Sequence, residues 1–221
     1  MKDKTWIRMS GLGGQGVVTC AHILATAANK DGKESTINPF FGAEKRLAPA
    51  ESYVRISSEP INERGEILSP DVIVIFHPHV ITMGKCYTMP FYDGLEKGGI
   101  IIINSDQPLD LDLEDISNLK HIGAKIYYIA ATQIAVEVGG TDLATNMAML
   151  GGLVGVTKLV SFESVKEAIQ ERFGGKKFVA SGSTAALDDV MKSKFAKVTQ
   201  LIEKNMKVVE ESSKRVKEYS L

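Results

Sequence analysis

The chain has 221 residues, and its 26 Lys and Arg residues nearly balance its 27 Asp and Glu residues. A chain of this length buries about 70% of its unfolded surface, which suits one domain with an appendage. A net charge of −1 provides no field to attract nucleic acid or an anionic membrane. No apolar run reaches the roughly 20 residues that span a bilayer, and the polar residues 1–8 predict no signal peptide. We therefore expect a cytoplasmic protein without nucleic-acid or membrane partners.

The first half of the chain predicts short strands and one helix. An apolar run at residues 6–9 leads into a glycine-rich turn, and residues 17–29 follow with apolar side chains at helical spacing. The runs 35–38 and 52–56 predict two short strands. Residues 39–51 between them predict an irregular segment.

Two β-branched runs, residues 71–76 and 99–104, are the clearest strands, because continuous runs of this kind are typical of parallel strands buried on both faces. Residues 125–129 predict a further strand. The segment 84–97 contains a proline and a glycine, so any helix there is expected to be short.

Three helices are predicted in the second half. The first covers residues 142–156, and the glycines near its end are expected to weaken it. The second covers residues 161–173, with Ser161 as its N-cap. The third, from about residue 184 to residue 219, would be roughly 50 Å long, so we expect it to break or to leave the body and meet a partner.

The order of these elements predicts an α/β fold: a three-layer α/β/α sandwich with a mostly parallel, Rossmann-like sheet and a C-terminal helical extension. We place the α/β domain in residues 1–182 and the extension in residues 183–221.

The glycine-rich turn Gly11-Leu-Gly-Gly-Gln-Gly16 fits the pattern G-x-G-x-x-G between a strand and a helix. Glycines there let backbone N–H groups and a helix N-terminus approach an anion. The pattern is equally compatible with a tight turn that needs glycine for packing. A dinucleotide site also needs an acidic residue at the end of the second strand, whereas Glu34 precedes that strand, so binding of NAD is disfavoured.

The segment 38–49 combines aromatic, acidic and basic residues between two predicted strands. It follows the second strand, at the edge of an α/β sheet where ligands and partners bind. Glu44, Lys45 and Arg46 are compatible with a solvated turn. Alternatively, Arg46 presents its guanidinium to a phosphate or carboxylate.

Two long motifs in this order resemble the γ subunit of 2-oxoacid:ferredoxin oxidoreductases, a family that includes pyruvate, 2-oxoisovalerate and phenylglyoxylate enzymes. They are Gly-x-Gly-Gly-Gln-Gly-Val-Val-Thr at residues 11–19 and Phe-Phe-Gly-Ala-Glu-Lys-Arg-x-Ala-Pro at residues 40–49. The resemblance covers most of residues 5–175, including Asn146-x-x-x-Leu150-Gly151. It departs from the family at Leu47, where such chains usually carry a small residue, often Gly or Thr.

The resemblance implies a complex that decarboxylates a 2-oxoacid on thiamine diphosphate, passes electrons through iron–sulfur clusters to ferredoxin, and releases an acyl-coenzyme A. It implies α, β and ferredoxin-like δ subunits as partners, which carry the thiamine diphosphate, Mg²⁺ and clusters. The two cysteines of this chain, Cys20 and Cys86, agree with that division, because they are too few for a cluster. This chain is then expected to be inactive alone, mainly structural and on the coenzyme A side.

We predict no catalytic residue and no metal ligand in this chain. The candidate cofactor-binding residues are Gly11, Gly13, Gly14, Gln15, Gly16, Phe41, Gly42, Glu44 and Arg46. The main alternative is a free-standing nucleotide-binding or NAD-dependent dehydrogenase domain, and a further one is a purely structural subunit.

Three other features carry weaker hypotheses. His77 and His79 end a predicted strand, but a metal site there would need a third ligand, for which Cys86 is the nearest candidate. Asn104-Ser105-Asp106 also ends a strand and is expected to cap the next segment rather than line a cleft. Asn146 lies on an otherwise apolar helix and would need a polar partner if buried.

Overall fold

The computed structural model describes residues 4–42, 47–174 and 185–220, with side chains from residue 196 onward in the last range. Within these ranges seven strands form one sheet in the order β2-β3-β1-β4-β5-β6-β7. The strands are β1 (Lys4–Leu12), β2 (Glu34–Phe41), β3 (Pro49–Ser57), β4 (Val72–Ile75), β5 (Ile100–Asn104), β6 (Lys125–Ile129) and β7 (Lys217–Tyr219).

The helices of the described residues lie on both faces of this sheet. They are α1 (Val17–Lys30), α2 (His79–Thr82), α3 (Leu113–His121), α4 (Ala131–Ile134), α5 (Thr145–Thr157), α6 (Phe162–Phe173) and α7 (Ala185–Arg215). A π-helical turn, Ala135–Gly139, and a 3₁₀ turn, Asp142–Ala144, connect α4 to α5. Residues 84–97, for which a short helix was allowed, contain turns and no helix.

The sheet is mixed. β1, β4, β5 and β6 are parallel neighbours, whereas β3 runs antiparallel between β1 and β2. Most described strands therefore point in one direction, as predicted. The two runs predicted as short strands are longer than expected, because β2 and β3 form a hairpin that extends into the segment predicted to be irregular.

Two apolar clusters make the three layers. One lies between the sheet and helices α1, α5, α6 and α7, and it includes Ile7 and Met9 of β1 with Val54 and Ile56 of β3. The other lies below β4, β5 and β6, where α2, α3 and the turns of residues 84–98 cover the opposite face. The predicted α/β/α sandwich is confirmed.

Helix α5 runs through its three glycines, contrary to the expectation that they would weaken its end. A Cβ on Gly151 would lie 2.2 Å from the carbonyl oxygen of Val209, and a Cβ on Gly155 would lie 2.7 Å from that of Ser213. At both positions the backbone of α5 is in direct contact with the backbone of α7. Tertiary packing therefore outweighs the low helix propensity of glycine, because only glycine permits this approach.

The C-terminal helix is present, but it neither runs to residue 219 nor leaves the body at its end. It stops at Arg215, and the chain then returns as β7, which pairs antiparallel with β6 through Tyr128↔Lys217 and Ile126↔Tyr219. The sequence did not predict this strand, because three residues are too few to show the alternation that distinguishes a strand from a helix. The domain boundary at residue 182 stays a prediction. No described helix is long and apolar enough to cross a membrane.

The predicted N-cap of α6 is confirmed and joins α6 to the end of α1. The Ser161 hydroxyl accepts a hydrogen bond from the Ser164 N–H. Asp31, which follows α1, accepts hydrogen bonds from the Ser161 N–H at 2.7 Å, the Ser161 hydroxyl at 2.8 Å and the Ser164 hydroxyl at 2.5 Å. Although partial burial opposes it, these donors lower the pKa of Asp31.

Candidate functional site

The glycine turn links the end of β1 to the start of α1. Gly14 and Gly16 have φ angles of 98° and 75°, in the left-handed region that glycine adopts without strain. The side-chain oxygen of Gln15 accepts a hydrogen bond of 2.8 Å from the Leu12 N–H and so closes the turn. The chain therefore reverses within a few residues and delivers the N-terminus of α1 to the edge of the sheet.

The N-terminus of α1 has free donors. Gly16 occupies the N-cap position, and no side chain of the described residues caps this end. The backbone N–H groups of Val17, Val18 and Thr19 have no acceptor within the helix, as in any first turn. The first turn also contains no acidic side chain, so no side chain of the first turn itself compensates the partial positive charge of the helix N-terminus.

A pocket of about 630 Å³ opens in front of these donors. Its walls are the glycine turn, the first turn of α1 and the adjoining ends of β2 and β3. The lining residues are Leu12, Gly13, Gly14, Gly16, Val17, Val18, Thr19, Phe41, Gly42, Pro49 and Ala50. We call this cavity the glycine-turn pocket. Its volume falls within the range of small-molecule sites, and it combines apolar walls with backbone donors for an anion.

The structure separates the predicted glycine-turn residues into two groups. Gly13, Gly14 and Gly16 line the pocket, whereas Gly11 and Gln15 do not. A Cβ on Gly11 would lie 2.7 Å from Val17 Cγ2 and 2.8 Å from Phe76 Cβ. Gly11 thus fits the packing interpretation of the motif, and the three later glycines lie where the ligand interpretation needs them.

The second predicted segment meets the first at the same pocket. Phe41 and Gly42 line it, opposite the first turn of α1. Glu44 and Arg46 lie outside the described residues, so their roles stay predictions. The hairpin is joined to the glycine turn by two backbone hydrogen bonds, from the Gly13 N–H to the Ala48 carbonyl at 2.8 Å and from the Leu47 N–H to the Gly13 carbonyl at 3.3 Å.

Leu47 has a φ of 57°, which few residues other than glycine adopt. Its side chain is 66% exposed at the hairpin end. This conformation gives a physical reason for a small residue, glycine above all, to be favoured at that position.

Asn146 supports the glycine turn from α5 and was not predicted as a site residue. It is 8% exposed, and a Cβ on Gly16 would lie 2.5 Å from its Nδ2. A polar residue on an otherwise apolar helix was the sequence feature that could have identified it as a site residue. Its Oδ1 accepts a hydrogen bond of 2.9 Å from the N–H of its neighbour Met147, so its contact with the glycine turn is one of packing. Pro49 and Ala50 were also missed, because apolar residues at a strand end carry no chemical signal.

A buried polar cluster lies behind the pocket, on the face of β1 and β3 that points away from α1. Glu51 is fully buried and accepts hydrogen bonds from the Tyr53 hydroxyl at 2.7 Å, the Tyr87 N–H at 3.2 Å and the Ser10 hydroxyl at 3.3 Å. It thereby connects β1, β3 and the segment 84–98. Burial raises the pKa of the Cys86 thiol to about 11, with a smaller contribution from the charge of Glu51.

Arg8 belongs to the same cluster and is 2% exposed. Its Nη2 donates to the Phe91 carbonyl at 2.9 Å, and its Nε has no hydrogen-bond partner among the described residues. Burial lowers the pKa of Arg8, although the charge of Glu51 opposes this shift. The negative charge of Glu51 therefore offsets part of the cost of burying the positive charge of Arg8.

His77 lies between β4 and α2 and His79 begins α2, and the two form no metal site with Cys86. Their rings contact each other at 4.4 Å between centroids, and the Cys86 thiol donates to the Thr88 carbonyl at 3.0 Å. No three potential ligands among His, Cys, Asp and Glu converge anywhere in the described part of the chain. Burial, with His79 and Lys85 nearby, lowers the pKa of His77.

Asn104 does not cap the segment that directly follows it; instead, its Oδ1 accepts a hydrogen bond of 3.4 Å from the Thr132 N–H in the first turn of α4. Its Nδ2 donates to the Phe76 carbonyl at 2.9 Å and to the Thr132 hydroxyl at 3.0 Å. It thus joins the ends of β4 and β5 to α4. The sequence could not show this role, because Thr132 is 28 residues away.

The strand order also argues against a dinucleotide site. On the side of β1 away from β4, the neighbouring strand is the antiparallel β3, so β2 lies one strand further from β1 than in a dinucleotide-binding fold. Glu34 pairs with Ser57, which pairs with Lys4 at the start of β1. Its carboxylate is therefore at the opposite end of the sheet from the glycine turn.

Comparison with known sequences places the chain in a protein family. The family of pyruvate ferredoxin/flavodoxin oxidoreductases matches residues 6–189. The common γ subunit of the pyruvate and ketoisovalerate oxidoreductases of Thermococcus kodakarensis is 42% identical over 169 residues, which are 76% of this chain and 86% of the relative.

Solved structures show the same fold. The PORC subunit of pyruvate oxidoreductase from Thermotoga maritima has a TM-score of 0.71 at 24% identity, over 99% of this chain and all of that one. The 2-oxoglutarate:ferredoxin oxidoreductase of Magnetococcus marinus, solved with 2-oxoglutarate, coenzyme A and succinyl-CoA bound, has a TM-score of 0.62 at 24% identity. The match covers 92% of this chain but 32% of that longer one. The chain thus belongs to the pyruvate ferredoxin/flavodoxin oxidoreductase family and is similar to its γ subunits.

Proposed function

We propose that this chain is the γ subunit of a thiamine diphosphate-dependent 2-oxoacid oxidoreductase and that its glycine-turn pocket binds coenzyme A, the acceptor of the acyl group. The observation that carries this proposal is the uncapped N-terminus of α1 facing a pocket in a chain of this family. The coenzyme A bound to the Magnetococcus marinus enzyme supports the ligand class.

The chemistry of coenzyme A matches the two properties of the pocket. Its diphosphate is an anion, for which the N–H groups of Val17, Val18 and Thr19 are donors. Its pantetheine arm is a thin and mostly neutral chain, which suits the walls formed by Leu12, Phe41 and Pro49. The pocket would thus hold the phosphates and leave the thiol end free to reach another subunit.

The chain's own contribution is therefore to bind and orient. In the proposed complex, the α, β and δ subunits would hold thiamine diphosphate with Mg²⁺ for the decarboxylation and iron–sulfur clusters for electron transfer to a ferredoxin-type acceptor. The residues described here fit this division, because Cys20 is buried among apolar side chains and Cys86 donates to a backbone carbonyl. The chain is expected to be inactive alone and to act in the cytoplasm.

A pair of substitutions at Val18 tests the pocket. Val18→Glu places a carboxylate in the first turn of α1, where it satisfies backbone donors and repels phosphate. Val18→Gln has the same size without the charge. In the assembled complex, with whichever of pyruvate and 2-oxoisovalerate it oxidises, we expect Val18→Glu to raise the KM for coenzyme A about tenfold relative to Val18→Gln.

Folding provides the control for this comparison. A carboxylate at a helix N-terminus stabilises the helix by about 0.5 kcal/mol, so Val18→Glu should unfold no earlier than Val18→Gln. Equal KM values for coenzyme A in the two variants would contradict the proposal and favour a glycine turn with a purely structural role.

A further inference from the structure

Tyr87 touches both strand ends that form one wall of the glycine-turn pocket. Its hydroxyl donates to the Pro49 carbonyl at 3.0 Å, at the start of β3. Its ring packs edge to face on Phe40 of β2, with 4.7 Å between centroids. The same hydroxyl lies 3.4 Å from the position that a Cβ on Gly42 would occupy.

The backbone of Tyr87 is itself held in place. Its N–H donates to Glu51 Oε1 at 3.2 Å. Glu51 is fully buried and also binds the hydroxyls of Ser10 and Tyr53. Ser10 directly precedes the glycine turn, so the group that anchors Tyr87 is attached to both strands beneath the pocket.

The side chain of Tyr87 is 42% exposed, and core packing therefore does not require it. One wall of the pocket is formed by two strand ends: Phe41 and Gly42 at the end of β2, and Pro49 and Ala50 at the start of β3. The first turn of α1 lines the same pocket. The Tyr87 hydroxyl binds Pro49 and lies beside Gly42, one residue of each pair. Its bond to Pro49 therefore adds a side-chain link across this wall to the backbone pairing of Phe41 with Ala50.

We propose that Tyr87 is a positioning residue for coenzyme A: its hydroxyl and ring tie Pro49 to the end of β2 and so hold the pocket wall at the distance that the ligand needs. This inference rests on the proposed function of the pocket. Tyr87 acts through Phe41, Gly42 and Pro49, and no contact of its own with the ligand is required.

The test compares Tyr87→Phe with Tyr92→Phe in the assembled complex. Tyr87→Phe keeps the ring on Phe40 and removes the bond to Pro49. Tyr92→Phe is the matched control, since its hydroxyl donates to Asp115 at 2.8 Å and accepts from Asn118 at 3.1 Å, away from the pocket. We expect Tyr87→Phe to raise the KM for coenzyme A about fivefold, the factor that one hydrogen bond represents.

The other kinetic constants separate positioning from a general structural role. For Tyr87→Phe, kcat, the KM for the 2-oxoacid and the unfolding midpoint should equal those of the parent complex. Tyr92→Phe should leave the KM for coenzyme A unchanged. Tyr87→Leu, which also removes the ring, should raise this KM further than Tyr87→Phe.

Each outcome decides one of the two proposals. If Val18→Glu raises the KM for coenzyme A and Tyr87→Phe does not, the positioning role is wrong and the coenzyme A pocket stands. If Tyr87→Phe lowers kcat and raises both KM values together, Tyr87 has a general structural role and the inference is also wrong. If Val18→Glu has no effect, the proposed function fails and the inference fails with it.

Discussion

The two faces of β1 and β3 differ in chemistry although they belong to the same strands. The face towards α1 is apolar, with Ile7, Met9, Val54 and Ile56 in the main cluster. The opposite face is polar and just as buried, with Arg8 and Glu51 among its residues. The second apolar cluster lies under β4, β5 and β6 and includes no residue of β1 or β3 among those described.

This difference assigns separate tasks to the two faces. Apolar contacts are non-directional, so they stabilise the sheet against the helices without selecting one arrangement of its end. Hydrogen bonds to a buried carboxylate have defined lengths and angles. The polar face can therefore fix the relative positions of β1, β3 and the segment 84–98, on which the shape of the pocket depends.

The largest expected effect comes from the apolar face. Met9→Ala removes a fully buried side chain from the main cluster, and we expect the free energy of unfolding to fall by about 3 kcal/mol. Urea unfolding of the purified chain measures it. Because Met9 points away from the polar cluster, complexes that still assemble should keep the parent KM for coenzyme A. A changed KM would show that the two faces are coupled.

A smaller loss of stability is expected on the polar face. Glu51→Gln keeps the size of the side chain but replaces a carboxylate that accepts three hydrogen bonds, and it removes the charge that most favours the buried Arg8 guanidinium. We expect the free energy of unfolding to fall by about 2 kcal/mol. Unlike Met9→Ala, this variant should also raise the KM for coenzyme A. A variant with parent stability and parent KM would refute the division of tasks.

The smallest effect is expected at Ser52, a polar residue on the apolar face. It is fully buried, and its hydroxyl has no hydrogen-bond partner among the described residues. Ser52→Ala removes an unsatisfied group and should raise the free energy of unfolding by about 0.5 kcal/mol. Thermal or urea unfolding measures the change. A loss of more than about 1 kcal/mol would mean that the hydroxyl contributes to the fold.

Much of the fold could be predicted because local patterns determine it. The β-branched runs of β4 and β5 and the helical spacing of α1 predicted those elements to within a residue or two. The end of α5 could not be predicted, because its glycines pack on α7, about 58 residues later. Local propensity contains no information about such a contact.

The candidate site could be predicted in part. The motif placed Gly13, Gly14 and Gly16 in the turn that lines the pocket, but it could not separate them from Gly11, because that depends on the distance to Val17 and Phe76. No sequence feature indicated that Tyr87 lies beside the pocket. It lies in an irregular segment, 38 residues from the carbonyl that it binds, and only the folded chain brings the two together.

The short strand β7 has a consequence for self-association. It covers the outer edge of β6, whose backbone donors and acceptors would otherwise be open to pairing with a second chain. β7 itself is three residues long, exposed and charged at Lys217 and Glu218, which makes it a poor template for further pairing. Residues 217–219 thus protect this edge of the sheet against pairing with another chain.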